Sequence, residues 1–77
     1  MTEAQNSAQQ IAALYETILA RKTADPSDSY SAQLLADLPR AARKLGEEAS
    51  ETMVAALSGT DEALAGEAGD LLYHLLV

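Results

Sequence analysis

The 77-residue chain has no cysteine, no tryptophan and no phenylalanine, and its only aromatic side chains are Tyr15, Tyr30 and Tyr73. Without cysteine there is no disulfide framework and no thiolate metal site. Basic residues are also scarce: 5 Lys and Arg face 12 Asp and Glu, for a formal net charge of −7. A nucleic-acid binder needs a basic face to displace counterions from phosphates, so this imbalance argues against one. No run of sequence approaches the ~20 apolar residues of a membrane span. The first ten residues hold neither a basic n-region nor an apolar h-region, so no signal peptide is expected and a cytoplasmic location is.

What is present is helix-forming. Hydrophobic residues make up 48% of the chain, too many for disorder; alanine accounts for 16 residues and leucine for 12, while Ile and Val supply two each. Strand-favouring β-branched and aromatic residues are rare, so the expected class is all-α. Residues 1–77 are expected to form one domain, at the lower end of sizes that fold without staples. Alanine buries little area, which favours completing the core by oligomerisation.

Ser7-Ala8-Gln9-Gln10 fits a capping box, and Ile11, Leu14, Tyr15, Ile18 and Leu19 follow as one stripe of a helix that ends around Lys22. The run Thr23 to Tyr30 reads as a loop, and Ser31 is expected to cap a short helix to about Asp37. Asp37 and Pro39 open a longer helix with the apolar stripe Leu38, Ala41, Ala42, Leu45, Ala49, Met53 and Ala56, stopped by Gly59 at a C′-type position. Thr60 caps a last helix that runs to the end of the sequence. Within it Gly66, Gly69 and Tyr73 fall along one side, which predicts a close helix–helix contact.

The carboxylates are unevenly placed. Glu47, Glu48 and Glu51 lie in one turn of the third helix, within a ~100° arc. Glu67 and Asp70, three apart, share a face of the fourth, with His74 between their directions. If the short Gly-Thr connection folds these helices antiparallel, the two sets can face one another. Like charges this close repel, so either they are a solvated helix face or a divalent cation sits among them. Oxygen ligands suit Mg²⁺ or Mn²⁺, and zinc is a poorer match to one histidine and no cysteine. Arg21, Lys22 and Lys44 are either ordinary solvated and paired cations or receivers of phosphate oxygens. His74 is either a packed helix residue or the group that orients a carboxylate.

These residues also carry a resemblance. Glu47-Glu48-x-x-Glu51 followed by Glu67-x-x-Asp70 resembles the EExxE…ExxD signature of the MazG-like all-α nucleotide pyrophosphohydrolases. The flanking text is more specific. Arg21-Lys22-x-x-Asp25-Pro26-x-x-Ser29-Tyr30-Ser31, then Lys44-x-Gly46-Glu47-Glu48-Ala49, then Asp70-Leu71-Leu72-Tyr73-His74-Leu75-Leu76-Val77 is similar to the phosphoribosyl-ATP pyrophosphohydrolase family over about residues 11 to 77.

The resemblance implies a helical bundle completed by homodimerisation. It also implies Mg²⁺-dependent hydrolysis of phosphoribosyl-ATP to phosphoribosyl-AMP and pyrophosphate, the second step of histidine biosynthesis. Glu47, Glu48, Glu51, Glu67 and Asp70 would be metal ligands, with Glu48 and Glu67 catalytic. Arg21, Lys22, Ser29, Tyr30 and Lys44 would meet the substrate. The family commonly continues beyond the run that ends here at Val77. Two alternatives are a MazG-like enzyme acting on ordinary nucleoside triphosphates and a non-catalytic acidic interaction module.

Overall fold

A computed structural model describes residues 2–77, apart from the side chains of residues 3 and 4. All regular structure among them is helical: α1 (Glu3–Ala20), a 3₁₀ turn (Arg21–Thr23), α2 (Tyr30–Leu35), α3 (Leu38–Ser58) and α4 (Asp61–Leu76). The all-α expectation holds.

Each helix starts on a side-chain oxygen that satisfies an otherwise orphaned backbone N–H. Asp37 Oδ1 accepts from Arg40 N at 3.1 Å and Thr60 Oγ1 from Ala63 N at 3.1 Å, both at the expected positions. Two caps differ from expectation. α1 opens at Thr2 rather than Ser7, through a reciprocal box in which Thr2 Oγ1 accepts from Gln5 N and Gln5 Oε1 accepts from Thr2 N. An upstream box of the same chemistry extends the helix by more than a turn. α2 is capped by Ser29, whose oxygen accepts from Ala32 N at 3.2 Å, rather than by Ser31. Ser29 has the extended backbone a cap requires (φ −148°, ψ 123°), and Ser31 turns its hydroxyl to Tyr73.

Gly59 ends α3 as expected, but as the C-cap itself in an extended conformation (φ −95°, ψ −174°), with no left-handed residue. Any added Cβ would meet the Ala55 carbonyl oxygen at 2.8 Å, so close approach selects glycine here. The two-residue link then folds α4 back along α3. This hairpin is the principal packing of the molecule, and α1 and α2 flank it.

The face of α3 turned to α4 coincides only in part with the apolar stripe. Side chains withdrawn from solvent are Arg40, Ala41, Lys44, Leu45, Glu48, Ala49, Thr52 and Ala55, a row that keeps Ala41, Leu45 and Ala49 of the predicted stripe but is centred about 75° round the helix from it at 100° per residue. Leu38 and Met53 of that stripe stay 77% and 64% exposed. The glycine prediction also fails within the chain: nothing lies within 4 Å of a Cβ built at Gly66 or Gly69.

The core is correspondingly thin. Among the described residues, only Ile18, Ala32, Leu34 and Ala41 are buried apolar ones. The molecule is flat, 37 × 34 × 17 Å, with a radius of gyration of 13.9 Å against about 11.5 Å for a compact chain of this length. No helix among the described residues is long and apolar enough to cross a membrane.

Because the space around Gly69 is open and the residue lies inside a helix, Gly69→Ala should stabilise the chain by about 0.5–1 kcal/mol, read from urea denaturation. A loss of stability would show that another surface packs closely there.

Candidate metal and phosphate site

The α3–α4 seam buries a carboxylate. Glu48 is only 7% exposed and is the one buried charged residue among those described. Across the seam it meets Glu67 and Asp70: one ligand atom from each of the three lies within 4.8 Å of the others. The antiparallel hairpin brings these groups together, since positions 48, 52 and 55 of α3 face progressively earlier residues of α4. Thr52 fixes the register. Its Oγ1 is 2.7 Å from the Glu48 carbonyl and 3.2 Å from that of Glu67, so one hydroxyl proton lies between backbone acceptors of both helices.

Glu51 borders the same cluster, close enough to influence both Glu48 and Glu67. Loss of solvation, then the hydrogen bond and charge of Glu51, push Glu48 above the ordinary glutamate range; Asp70 adds to this and His74 opposes it. Glu67 is also raised, first through Glu51 and then by burial, with Glu48 and Asp70 adding repulsion. One oxygen of each, Glu48 Oε2 and Glu67 Oε2, is fully enclosed without a hydrogen-bond partner. Such atoms are costly unless something fills the role of a partner.

Glu47 stands outside this convergence. Its carboxylate is half exposed and pairs with Lys44 Nζ at 3.2 Å, while the same ammonium lies 4.0 Å from Glu48 Oε1. The Glu47 hydrogen bond and charge raise the Lys44 pKa, which keeps it cationic. The expected meeting of all five carboxylates is therefore, within one chain, a meeting of Glu48, Glu67 and Asp70, with Glu51 at their border and Glu47 beside them on Lys44.

Arg21 and Lys22 lie exposed on the 3₁₀ turn, and neither makes an ion pair among the described residues. The loop that follows is ordered locally: Asp25 Oδ1 accepts from Ser27 N and Ser27 Oγ, both at 2.9 Å, which lowers its pKa. Ser29 uses its oxygen to cap α2. Tyr30 places its hydroxyl 3.1 Å from His74 Nε2, and His74 Nδ1 lies 2.7 Å from the Asp70 carbonyl.

Two contributors escape a reading of the sequence. Thr52 is visible only as a hydroxyl four residues after Glu48. Tyr73 reaches Ser31 from the next position to His74.

Comparison with known proteins now decides the family. Residues 11–77 match the family model described as phosphoribosyl-ATP pyrophosphohydrolase. The chain belongs to this family. Its all-α helical fold is the MazG-like one expected of the family.

Among curated relatives, the phosphoribosyl-ATP pyrophosphatase of Erythrobacter litoralis is 58% identical over 65 residues, 83% of this chain and 62% of that protein. That of Roseobacter denitrificans is 58% identical over 66 residues, 84% of this chain and 63% of the relative. That of Parvibaculum lavamentivorans is 54% identical over 71 residues, 91% and 65% of the two chains. This family member therefore spans less than two thirds of the length of these relatives.

Fit to a divalent cation follows from the donor set. All of the converging atoms are carboxylate oxygens, which suit a hard ion, and two of them are enclosed without a partner.

The raised pKa values give a signed expectation for stability. The folded chain holds protons on Glu48 and Glu67 more tightly than the unfolded chain does. The pair therefore supports folding below the ordinary glutamate value of 4.5 and costs stability as pH climbs through the raised values. In chelator the melting temperature should fall across that window, and Glu51→Gln should flatten the fall. Millimolar Mg²⁺ should restore stability chiefly above the window, because it binds the ionised native cluster by mass action. Calorimetric scans against pH, with and without Mg²⁺, check this.

Proposed function

We propose that this chain is the catalytic part of a Mg²⁺-dependent phosphoribosyl-ATP pyrophosphohydrolase. It would release pyrophosphate and leave phosphoribosyl-AMP, as in the second step of histidine biosynthesis, a cytoplasmic reaction. The observation that carries this reading is the pair of enclosed, unpartnered oxygens on Glu48 and Glu67 beside Asp70, in a chain of this family. Mn²⁺ offers the same hard-ion chemistry and is the expected substitute.

Glu48, Glu67, Asp70 and Glu51 would hold the cation, and Glu47 would join them by exchanging Lys44 for it. A bound ion supplies neutralisation of phosphoryl oxygens and acidification of water. The protein's own residues do the rest. Glu67 is less buried than Glu48, so it is the carboxylate of the pair more open to water. It is assigned the proton, with Glu48 holding the geometry from the buried side. Lys44, kept cationic by Glu47, faces the same cluster as a point charge for a phosphate oxygen. Arg21 and Lys22 are exposed and unengaged by any acid of the described chain, as phosphate-receiving cations must be.

Two copies are proposed to form the working unit. The chain exposes 5416 Å², about 900 Å² more than a compact protein of 8.1 kDa. That excess is close to what one partner of a standard interface buries, about 800 Å². The residues that make it apolar include Leu38, Met53 and Leu57, at 77%, 64% and 89% exposed.

The test is Mg²⁺-dependent pyrophosphate release from phosphoribosyl-ATP, compared with a panel of free nucleoside triphosphates. Glu48→Gln and Asp70→Asn should each lower kcat/KM by about 100-fold or more, the scale of losing one preorganised electrostatic group. Preference for the free triphosphates would assign a MazG-like substrate instead, and no release from any of them would leave an interaction module. Sedimentation should give a dimer, and Leu57→Glu should shift it toward monomer.

A further inference from the structure

Tyr30 and Ser31, the first two residues of α2, meet Tyr73 and His74, consecutive residues near the end of α4. The bonds cross: Tyr30 O–H with His74 Nε2 at 3.1 Å, and Ser31 Oγ with the Tyr73 hydroxyl. The Tyr30 ring also stacks on Tyr73, with centroids 6.3 Å apart and planes at 21°. It meets the edge of His74 at 5.9 Å and carries the Arg40 guanidinium 5.7 Å from its centroid. The backbones of α2 and α4 scarcely approach one another, so these side chains make the connection.

The protons on this bridge follow from chemistry. The Asp70 carbonyl can only accept, so His74 Nδ1, 2.7 Å away, carries a hydrogen. In the neutral imidazole Nε2 is then a lone pair, and the Tyr30 hydroxyl must donate to it. His74 is thereby held at both nitrogens, on the backbone of a carboxylate of the cluster and on the residue that follows the loop bearing Arg21 and Lys22. Hydrogen bonds to the residues behind a site set the orientation of the groups that do the chemistry.

Resting on the activity proposed above, we infer that Tyr30 and His74 form a positioning couple that sets the loop bearing Arg21, Lys22 and Ser29 at a defined distance from the α3–α4 carboxylates, rather than Tyr30 contacting the substrate. The Tyr30 hydroxyl is committed to His74, and its ring is occupied by Tyr73, His74 and Arg40. The Ser31–Tyr73 bond joins the same two elements beside the couple.

Tyr30→Phe removes the donor and keeps the ring. His74→Asn keeps a nitrogen near the Nδ1 position and removes Nε2. Each should lower kcat by about tenfold, the scale of losing one hydrogen bond that orients a site residue, with KM little changed. The double variant should be no slower than the worse single one, because both changes break one bond. Additive losses would overturn the inference, as would a Tyr30→Phe enzyme with raised KM and unchanged kcat, the mark of a direct substrate contact.

A second readout needs no turnover. The chain has one histidine, so ¹⁵N–¹H spectra at mildly alkaline pH report His74 alone. They should show the Nδ1–H tautomer, with the Nε2 resonance shifted in Tyr30→Phe. An Nε2–H tautomer in the unaltered chain, or an Nε2 resonance indifferent to Tyr30, would overturn the couple. If the unaltered chain released no pyrophosphate from phosphoribosyl-ATP, the proposed function would fall, and the spectra would still decide whether the couple exists.

Discussion

The structure depends on a repulsion. A small helical chain turns a row of polar residues into its main seam and places Glu48 there, nine-tenths buried, facing Glu67 and Asp70. Burial and like charge both favour the protonated forms, and two oxygens have no partner. Apolar residues at these places would make a more stable hairpin. A hard cation, held as proposed above, would recover that cost.

The rest of the architecture serves that seam. Asp37, Gly59 and Thr60 fix where α3 and α4 begin and end, so that Glu48 comes level with Glu67 across the hairpin. Thr52 ties the two backbones at the same height. Lys44 balances the outer rim through Glu47. The Tyr30–His74 and Ser31–Tyr73 contacts then bring a loop from the far side of the chain to the same helix. Because polar groups share the inner face of α3, its larger apolar residues Leu38, Met53, Val54 and Leu57 are left outside, which contributes to the thin core and the large exposed area.

Several particulars were readable from the residues alone. Capping chemistry is local, so Asp37, Thr60 and the stop at Gly59 could be placed from neighbouring letters. It fails where two candidates of the same chemistry compete, as Thr2 does with Ser7 and Ser29 with Ser31, because backbone conformation chooses between them. The helical stripe of α3 was also legible, and so was the grouping of Glu47, Glu48 and Glu51 in one turn. Which face would be covered was not: periodicity shows that a face is apolar, and only packing shows what lies against it. The open space at Gly66 and Gly69 is the same lesson on α4.

The sequence by itself determined the all-α class, the short link between α3 and α4, and the two acidic motifs that could meet if that link folds the helices antiparallel, because helix propensity, caps and 3.6-residue spacing act over a few residues. Its resemblance over residues 11 to 77 pointed to the family to which the chain belongs. Tertiary structure decided which acids converge and which stands apart on Lys44, since that depends on helix rotation about the seam. It also decided that Tyr30 bonds His74, 44 residues away in the chain. The opening imbalance of charge is thus in part a local matter: Glu48, Glu67 and Asp70 gather in one place with Glu51 at their border, where burial and repulsion raise the pKa values of Glu48 and Glu67.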